Sequence, residues 1–455
     1  MDLTVVILSA GKGSRMRSDR PKVLHPLAGK ALVAHVIDAA QQLAPRDIRL
    51  VYGHGGAAVK AALAHYRLSW CLQAEQRGTG HAVDHAMSGV PDDDSVLVLY
   101  GDVPLVAVDT LRHLVSLVSV DSMGLLTVQR ADPDGYGRII RQGGHVHSIV
   151  EQQDATPEQH AITEVHTGLL AARAADLKRW LARLGNDNAQ GEYYLTDVIA
   201  MAVADGLAVK TVAAGAEHEV AGVNDKIQLA GLERTWQRLQ AEALMRAGVQ
   251  LADPERLDCR TARIHHGVDC EIDVNVIIVG EVTLGDRVRI GANVILKDCT
   301  IGSDSDILPY SLVESSVVGE RVRIGPYARL RPGTQLADRV RIGNFVEVKQ
   351  ASIAEDAKVN HLTYIGDARI GRRVNVGAGT ITCNYDGANK HLTEIGDDVF
   401  IGSNTALVAP VSVGDNATIG AGSTLSREIA AEGLTLARAP AKRVAHWRRP
   451  QKKTP

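Results

Sequence analysis

Between Val318 and Val348 an aliphatic residue returns at every sixth position: Val318, Ile324, Leu330, Leu336, Ile342 and Val348. The same step recurs at Ile395, Ile401, Leu407, Val413, Ile419 and Leu425. A period of six fits neither the 3.6 of a helix nor the alternation of an ordinary strand. It fits a parallel β-helix in which three short strands make one coil, one aliphatic side chain per strand points inward, and the stacked side chains become the core. Glycine usually follows the aliphatic residue, as in "RIGPYA", "RIGNFV", "FIGSNT" and "TIGAGS", and is expected to let the chain turn the corner. The stretch "GAGTITCNYDGANKHLTEIG" interrupts the period between Val376 and Ile395. Its extra residues must leave the coil as an external loop, where binding faces often form.

The first 225 or so residues follow a different rule. Short apolar runs alternate with helical patterns, "TVVIL" then "ALVAHVIDAAQQL", "SVLVLYGDVPL" then "TLRHLVSLV", which predicts an α/β fold with a Rossmann-like, doubly wound sheet and ligands at the carboxyl ends of its strands. From Asp225 to Ala247, Leu232, Trp236, Leu239 and Ala243 fall at helical spacing; such a helix spans roughly 35 Å and can separate two domains. The division expected is therefore a domain over 1–226, a connecting helix over 227–247 and the repeat domain over 248–455. Val5 to Leu8 run straight into the glycine-rich turn "LSAGKGSRM", a natural phosphate site. It matches neither the dinucleotide GxGxxG nor the GxxxxGK[ST] template.

Composition excludes several classes. A formal net charge of −3 on 455 residues gives no global attraction for nucleic acid or anionic membrane, so anions must be recognised locally. Cys71, Cys259, Cys270, Cys299 and Cys383 are odd in number and show no CxxC spacing, which argues for a reducing compartment and against a zinc or redox motif. No run of about 18 apolar residues and no basic-then-apolar leader is present; a cytoplasmic, non-spanning protein is expected. Only two Phe point to cores of small and branched aliphatics.

Several stretches taken together, "LSAGKGSRM", "RPKVL", "QRGTGHA", "YGDVPL", "GYGRI", "IVEQQDA", "QGEYYLTD", "GVND", then hexapeptide repeats with "HLTYIGDA" and "ITCNYDGANK", resemble the bacterial bifunctional N-acetylglucosamine-1-phosphate uridyltransferase and glucosamine-1-phosphate acetyltransferase family. The likeness covers nearly the whole chain in order. It implies a left-handed, trimeric β-helix and two activities: acetylation of glucosamine-1-phosphate with acetyl-CoA, and transfer of UMP from UTP to N-acetylglucosamine-1-phosphate, feeding peptidoglycan and lipopolysaccharide synthesis.

For the first activity, backbone N–H groups around Gly11 and Gly13 can hold phosphate oxygens, and Arg15 and Lys22 supply the cations that a breaking triphosphate needs. Asp102 follows a strand end, where one carboxylate plus substrate phosphates suits Mg²⁺; the resemblance adds Asn224 as second ligand. It also implies nucleotide contacts at Leu8, Ser9, Ala10, Gly11, Gln73, Gly78, Thr79, Tyr100 and Gly101, with Gln73, Gly78 and Thr79 at the uracil. Gly137, Glu151, His166 and Asn224 are implied around the sugar. Alanine and threonine usually stand in the family where this chain has Ser9 and Ser14, and asparagine where it has His166, a group whose charge is expected to vary near neutrality. No general base is required, because a sugar phosphate with a second pKa near 6 is already largely dianionic.

Acetyl transfer is different, since an amine must lose a proton as it attacks a thioester. His361 has the right intrinsic pKa for that base. The resemblance implies Arg331 and Lys349 as sugar-phosphate cations, Tyr364 and Asn375 as sugar contacts, and Ala378, Asn384, Tyr385, Ser403, Ala421 and Arg438 as acetyl-CoA contacts. The basic tail "KRVAHWRRPQKK" is expected to pack on a neighbouring subunit or a CoA phosphate. Two other readings stay open: a nucleotidyltransferase whose β-helix only assembles or regulates, and a β-helix holding a metal between subunits, for which His265, His266, His361 and His391 are sparse.

Overall fold

A computed structural model describes residues 2–450. The chain divides into two compact units, Met1–Trp236 and Gln237–Pro455.

The first unit is built on a mixed sheet. Its main strands are β1 (Leu3–Ser9), β2 (Asp47–Tyr52), β3 (Ser69–Leu72), β4 (Ser95–Tyr100), β5 (Ser122–Gln129), β6 (Glu164–Arg173) and β7 (Ala208–Ala213), in the spatial order β7-β5-β6-β4-β1-β2-β3. Along β1, Val5 and Ile7 pack on the helix Leu32–Gln41, while Val6 and Leu8 pack toward Ala82, Val83 and Trp180. Both faces are covered, which is why the run reads as continuously apolar. The sheet departs from the parallel expectation at β6, antiparallel to both β4 and β5. Only a hairpin and the four-residue helix Pro157–His160 separate β5 from β6, too little for the helical crossover a parallel return requires. Register slips between His166 and Leu170, a bulge that re-aims side chains beside the strand ends.

The helix between the units runs from Lys226 to Arg246 and contains the boundary at 236/237. In the first unit Leu232 is buried with Met16 and Leu27, the Glu233 carboxylate accepts the Ala28 N–H at 2.6 Å, and Trp236 meets His35 edge-on. In the second, Ala241 and Leu244 join the repeat core, and Gln237 exchanges two hydrogen bonds with the Cys259 backbone.

The second unit is a parallel β-helix. On one face Ile290, Ile307, Ile324, Ile342, Val359, Val376, Ile401 and Ile419 sit in register on successive coils. All are buried, each stabilising by roughly 1.5–3 kcal/mol. The step is 17 or 18 residues except from Val376 to Ile401, where the inserted loop intervenes. Three edges, each a column of residues with positive φ, separate the faces. Edge A holds Tyr310, Tyr327, Phe345, Leu362, Gly379, Asn404 and Gly422; edge B holds Arg287, Asp304, Arg321, Arg339, Asp356, Arg373, Asp398 and Asn416; edge C holds Asp298, Ser315, Gly333, Gln350 and Asp367.

These columns correct the expected role of the repeat glycines. Outside Gly325, which itself has φ 101°, the left-handed turn falls two residues later, as at Arg373 after Gly371. Glycine is required because the next coil lies against it: a Cβ on Gly371 would stand 2.5 Å from the Gly396 carbonyl. On edge B, Arg287–Asp304, Arg339–Asp356 and Arg373–Asp398 are bidentate pairs between coils. They are solvent-exposed, where water and salt screen the attraction, and the aliphatic columns dominate.

Gly371→Ala is therefore expected to destabilise the chain by about 1–3 kcal/mol by forcing coils apart. Gly231→Ala, in the helix with nothing near its Cβ position, should instead stabilise by about 1 kcal/mol. Thermal denaturation of both variants checks the contrast.

Candidate active sites

The first site gathers at the carboxyl ends of β1, β2 and β4, which are mutually parallel. Hydrogen bonding continues past the strands: Gly101 N–H donates to Leu8 O at 2.9 Å and Val223 N–H donates to Asp102 O at 2.9 Å. These bonds bring the segments carrying Leu8, Asp102 and Asn224 together. Leu8, Ser9 and Ala10 are buried and Gly11 is exposed. Gly13 has φ 61°, and a Cβ there would stand 2.6 Å from Lys22 Cβ, so glycine lets Lys22 lie against the turn. Gly101 likewise packs directly on Ser9 Oγ, a buried hydroxyl with no hydrogen-bond partner.

Lys22 pairs with the Asp102 carboxylate, and its Nζ also lies 3.2 Å from Asn224 Oδ1. One carboxylate oxygen and one amide oxygen thus converge within reach of a single cation. That hard, sparse donor set fits Mg²⁺ completing its coordination with phosphates and water. Arg15, exposed on the 3-10 turn Ser14–Met16, hydrogen-bonds none of the described residues; the structure does not bring it to Asp102.

Around this point, Gln73 is buried against Gly78 and His81. The Thr79 hydroxyl accepts the Leu195 N–H at 3.1 Å. Tyr100 lies over Gly168, and burial, then the Glu151 and Asp102 carboxylates, raise its phenol pKa. A Cβ on Gly137 would be 3.5 Å from Glu151 Oε2, and Thr196 Oγ1 donates to Glu151 Oε1 at 2.9 Å. Burial first, then Asp197 and Asp154, raise the Glu151 pKa. His81 and Thr196 were not singled out from sequence; their signal lay in "GTGHA" and "YYLTD", read there only as motif text.

His166 corrects an expectation. Its N–H donates to Gly137 O at 2.8 Å, but its ring Nδ1 is buried without a partner. Burial lowers its pKa from 6.5 to about 4, so the ring stays neutral where it was expected to titrate.

The second candidate site straddles edge A of the β-helix. Asn344, His361, Ala378, Ser403 and Ala421 each immediately precede a left-handed residue of edge A. The carbonyls of Asn344, His361, Ala378 and Ser403 accept N–H groups from Leu362, Gly379, Asn404 and Gly422 at 2.8–3.3 Å, and Arg438 donates to Ala421 O at 2.8 Å. The proposed base and these proposed cofactor contacts therefore form one column.

His361 is exposed, with Nδ1 3.0 Å from Asn344 Oδ1. Because an amide oxygen only accepts, the ring proton sits on Nδ1, and Nε2 keeps the lone pair that a base needs. Asn344 is one coil before His361 in register, so the 17-residue step held the signal for it.

On the other side of Leu362, Tyr364 is in register with Glu347, whose carboxylate accepts from Arg331 at 2.8 Å. Lys349 lies beside Lys390 of the inserted loop; that neighbour, then Arg331, lowers its pKa, opposed by Asp367. Asn384 hydrogen-bonds Asp367 on edge C, while Tyr385 is exposed and donates to Gly387 O at 2.6 Å. A cavity of about 370 Å³ near the start of the β-helix and another of about 330 Å³ that includes Asp367, Lys390 and His391 are present; the second adjoins this cationic cluster. Asn375 lies on the strand approaching edge A, in register with Lys358. The basic tail is exposed through Pro450, and its last three residues lie outside the described residues. Among the described residues no three His, Cys, Asp or Glu side chains form a metal cluster, and no helix is long and apolar enough to cross a membrane.

The buried neutral His166 has a consequence for acid stability. Its folded pKa is below its unfolded one, so between pH 6.5 and about 4 the unfolded chain binds more protons and stability falls as pH drops. The penalty reaches on the order of 3 kcal/mol below that window. His166→Asn should flatten this part of the stability profile, measured by denaturant unfolding at a series of pH values.

Comparison with known families follows the same division. Residues 5–186 match the MobA-like NTP transferase domain, residues 261–351 a GMPPB C-terminal domain, and residues 392–427 six bacterial transferase hexapeptide repeats. Among solved structures, a nucleotidyl transferase from Methanothermobacter thermautotroptrophicus is 19% identical with a TM-score of 0.38, over 52% of this chain and 99% of that one. A Bacillus anthracis chain assigned as a glucose-1-phosphate thymidylyltransferase, in complex with a sucrose, is 17% identical with a TM-score of 0.41, over 51% and 94%. The chain thus combines a nucleotidyltransferase domain with a repeat region of the hexapeptide transferase type.

Proposed function

We propose that this chain is a bifunctional sugar-phosphate transferase. Its β-helix acetylates glucosamine-1-phosphate with acetyl-CoA, and its first unit transfers UMP from UTP to N-acetylglucosamine-1-phosphate, releasing pyrophosphate. The observation that carries the reading is the convergence of Lys22, Asp102 and Asn224 at the parallel strand ends, together with a second, separate constellation around His361.

At the first site, the turn after β1 offers backbone N–H groups to phosphate oxygens, and Lys22 supplies positive charge beside them. Asp102 and Asn224 would hold Mg²⁺, which when bound neutralises phosphate charge and orients the reactants. The sugar phosphate attacks as a dianion without a protein base. Gly137, Glu151 and neutral His166 offer groups to the sugar.

At the second site, His361 Nε2 takes the proton released as the amine attacks the thioester carbonyl. Asn344 holds its ring in the basic tautomer. Arg331, Lys349 and Lys390 form the cationic surface for the sugar phosphate. A homotrimer and a cytoplasmic location belong to the same proposal.

Purified protein supplied with glucosamine-1-phosphate, acetyl-CoA, UTP and Mg²⁺, each omitted in turn, tests it. Thiol release should persist without UTP, and pyrophosphate release should require acetylation first and stop on chelation. His361→Ala should stop thiol release, and Asp102→Ala pyrophosphate release from N-acetylglucosamine-1-phosphate. Asn344→Ala should slow thiol release by about tenfold or more. Thiol release undiminished in His361→Ala would remove the second activity from the proposal.

A further inference from the structure

The Gln73 side chain is 3% exposed, and its Nε2 lies 3.1 Å from Gly78 O and 3.1 Å from His81 Nδ1. The first contact sets the amide orientation, because a carbonyl only accepts and the reversed amide would place oxygen against oxygen. The second Nε2 proton then goes to His81 Nδ1, which must be an acceptor. That leaves the His81 proton on Nε2, 3.2 Å from His85 Nε2, which accepts in turn. With both amide protons used, Gln73 presents Oε1 alone to a ligand.

The geometry is held from outside the network. His81 is in the first turn of α1 (Thr79–Ala86), and its ring stacks on Tyr193 at 6.3 Å and 29°. Gly80 N–H donates to Tyr193 O at 2.8 Å, and a Cβ on Gly78 would lie 2.5 Å from the same oxygen. The position is also beside the phosphate turn: a Cβ on Gly53 would be 3.0 Å from Gln73 O and 3.1 Å from Ala10 O.

We propose that His81 is a positioning residue that locks the Gln73 amide so that the nucleotide site accepts a pyrimidine with an N–H at N3, uracil or thymine, and rejects cytosine. This deepens the reading of the first unit as a uridylyl transferase and rests on it. Uracil N3–H donates to Oε1. Cytosine presents a lone pair there, so two acceptors face each other in a buried setting and neither is satisfied. Without His81, the second amide proton has no partner and the amide loses its preference for one orientation.

The charged or titratable groups facing His81 are His85 and Asp84 on α1, Arg77 and Glu75 on the preceding loop, and Tyr193 across it. Burial, then His85 and Arg77, hold its pKa below 6.5. Protonated His81 carries a proton on Nδ1 and can no longer accept from Gln73.

The test is the ratio of kcat/KM for UTP to that for CTP, read as pyrophosphate release with saturating N-acetylglucosamine-1-phosphate and Mg²⁺. His81→Ala should lower the ratio at least about tenfold. His81→Asp, which keeps an acceptor near Nδ1 and suits the first turn of a helix, should restore it. In the wild-type protein, needing no variant to fold, the ratio should fall as acid protonates His81, at a pH lower than a free imidazole would require, whereas His81→Asp should hold it level. A UTP preference that survives both His81→Ala and acid in the wild type overturns the inference while leaving uridylyl transfer standing. Wild-type protein that releases no pyrophosphate from UTP at any pH overturns the underlying reading instead.

Discussion

Every peptide N–H and C=O in a parallel strand must find a partner on its neighbours, and both candidate sites stand where that demand runs beyond the last strand residue. In the first unit, Gly101 to Leu8 and Val223 to Asp102 extend the ladder into the loops and so deliver Asp102 and Asn224 to one point. In the β-helix, the carbonyls of Asn344, His361, Ala378 and Ser403 are taken up by the next coil. A functional side chain on such a residue inherits the rigidity of the backbone beneath it. This is the support that chemistry sensitive to small displacements requires.

The electrostatics of the two sites differ in kind. Lys22, Asp102 and Asn224 are partly buried and close, so their attraction is less screened than that of a surface pair. The second site gathers like charges, Arg331, Lys349 and Lys390, with Glu347 and Asp367 as partial compensation. An excess of positive charge at an exposed face is unfavourable without an anion and favourable with one. The Arg–Asp pairs of edge B are balanced and exposed, and they organise the edge more than they stabilise it.

Several features could be read before any coordinates. The six-residue step placed Val318 through Val348 and Ile395 through Leu425 in the core, and all are buried. The strand-then-glycine pattern located the turn after Leu8. Other features resisted reading. Glycines after the aliphatic residues suggested turning, yet they answer to the coil above, a contact some 17 residues or more away that local sequence cannot express. His166 looked like a pH-sensitive group, but its behaviour depends on how completely neighbours exclude water. Asn344 and His81 were passed over because a lone Asn or His has no signature until its partner is known.

The sequence by itself determined the repeat architecture, the two-part organisation and the strand-end location of the glycine-rich turn, because side-chain period and glycine placement act locally and survive in one dimension. Tertiary structure alone decided that Lys22 meets Asp102 and Asn224, that Arg15 does not, that β6 runs antiparallel, and that Asn344 meets His361. Each of these depends on groups remote in the chain meeting at hydrogen-bond distance, and hydrogen bonds and charges fall off too steeply with separation for spacing along a sequence to stand in for distance in space.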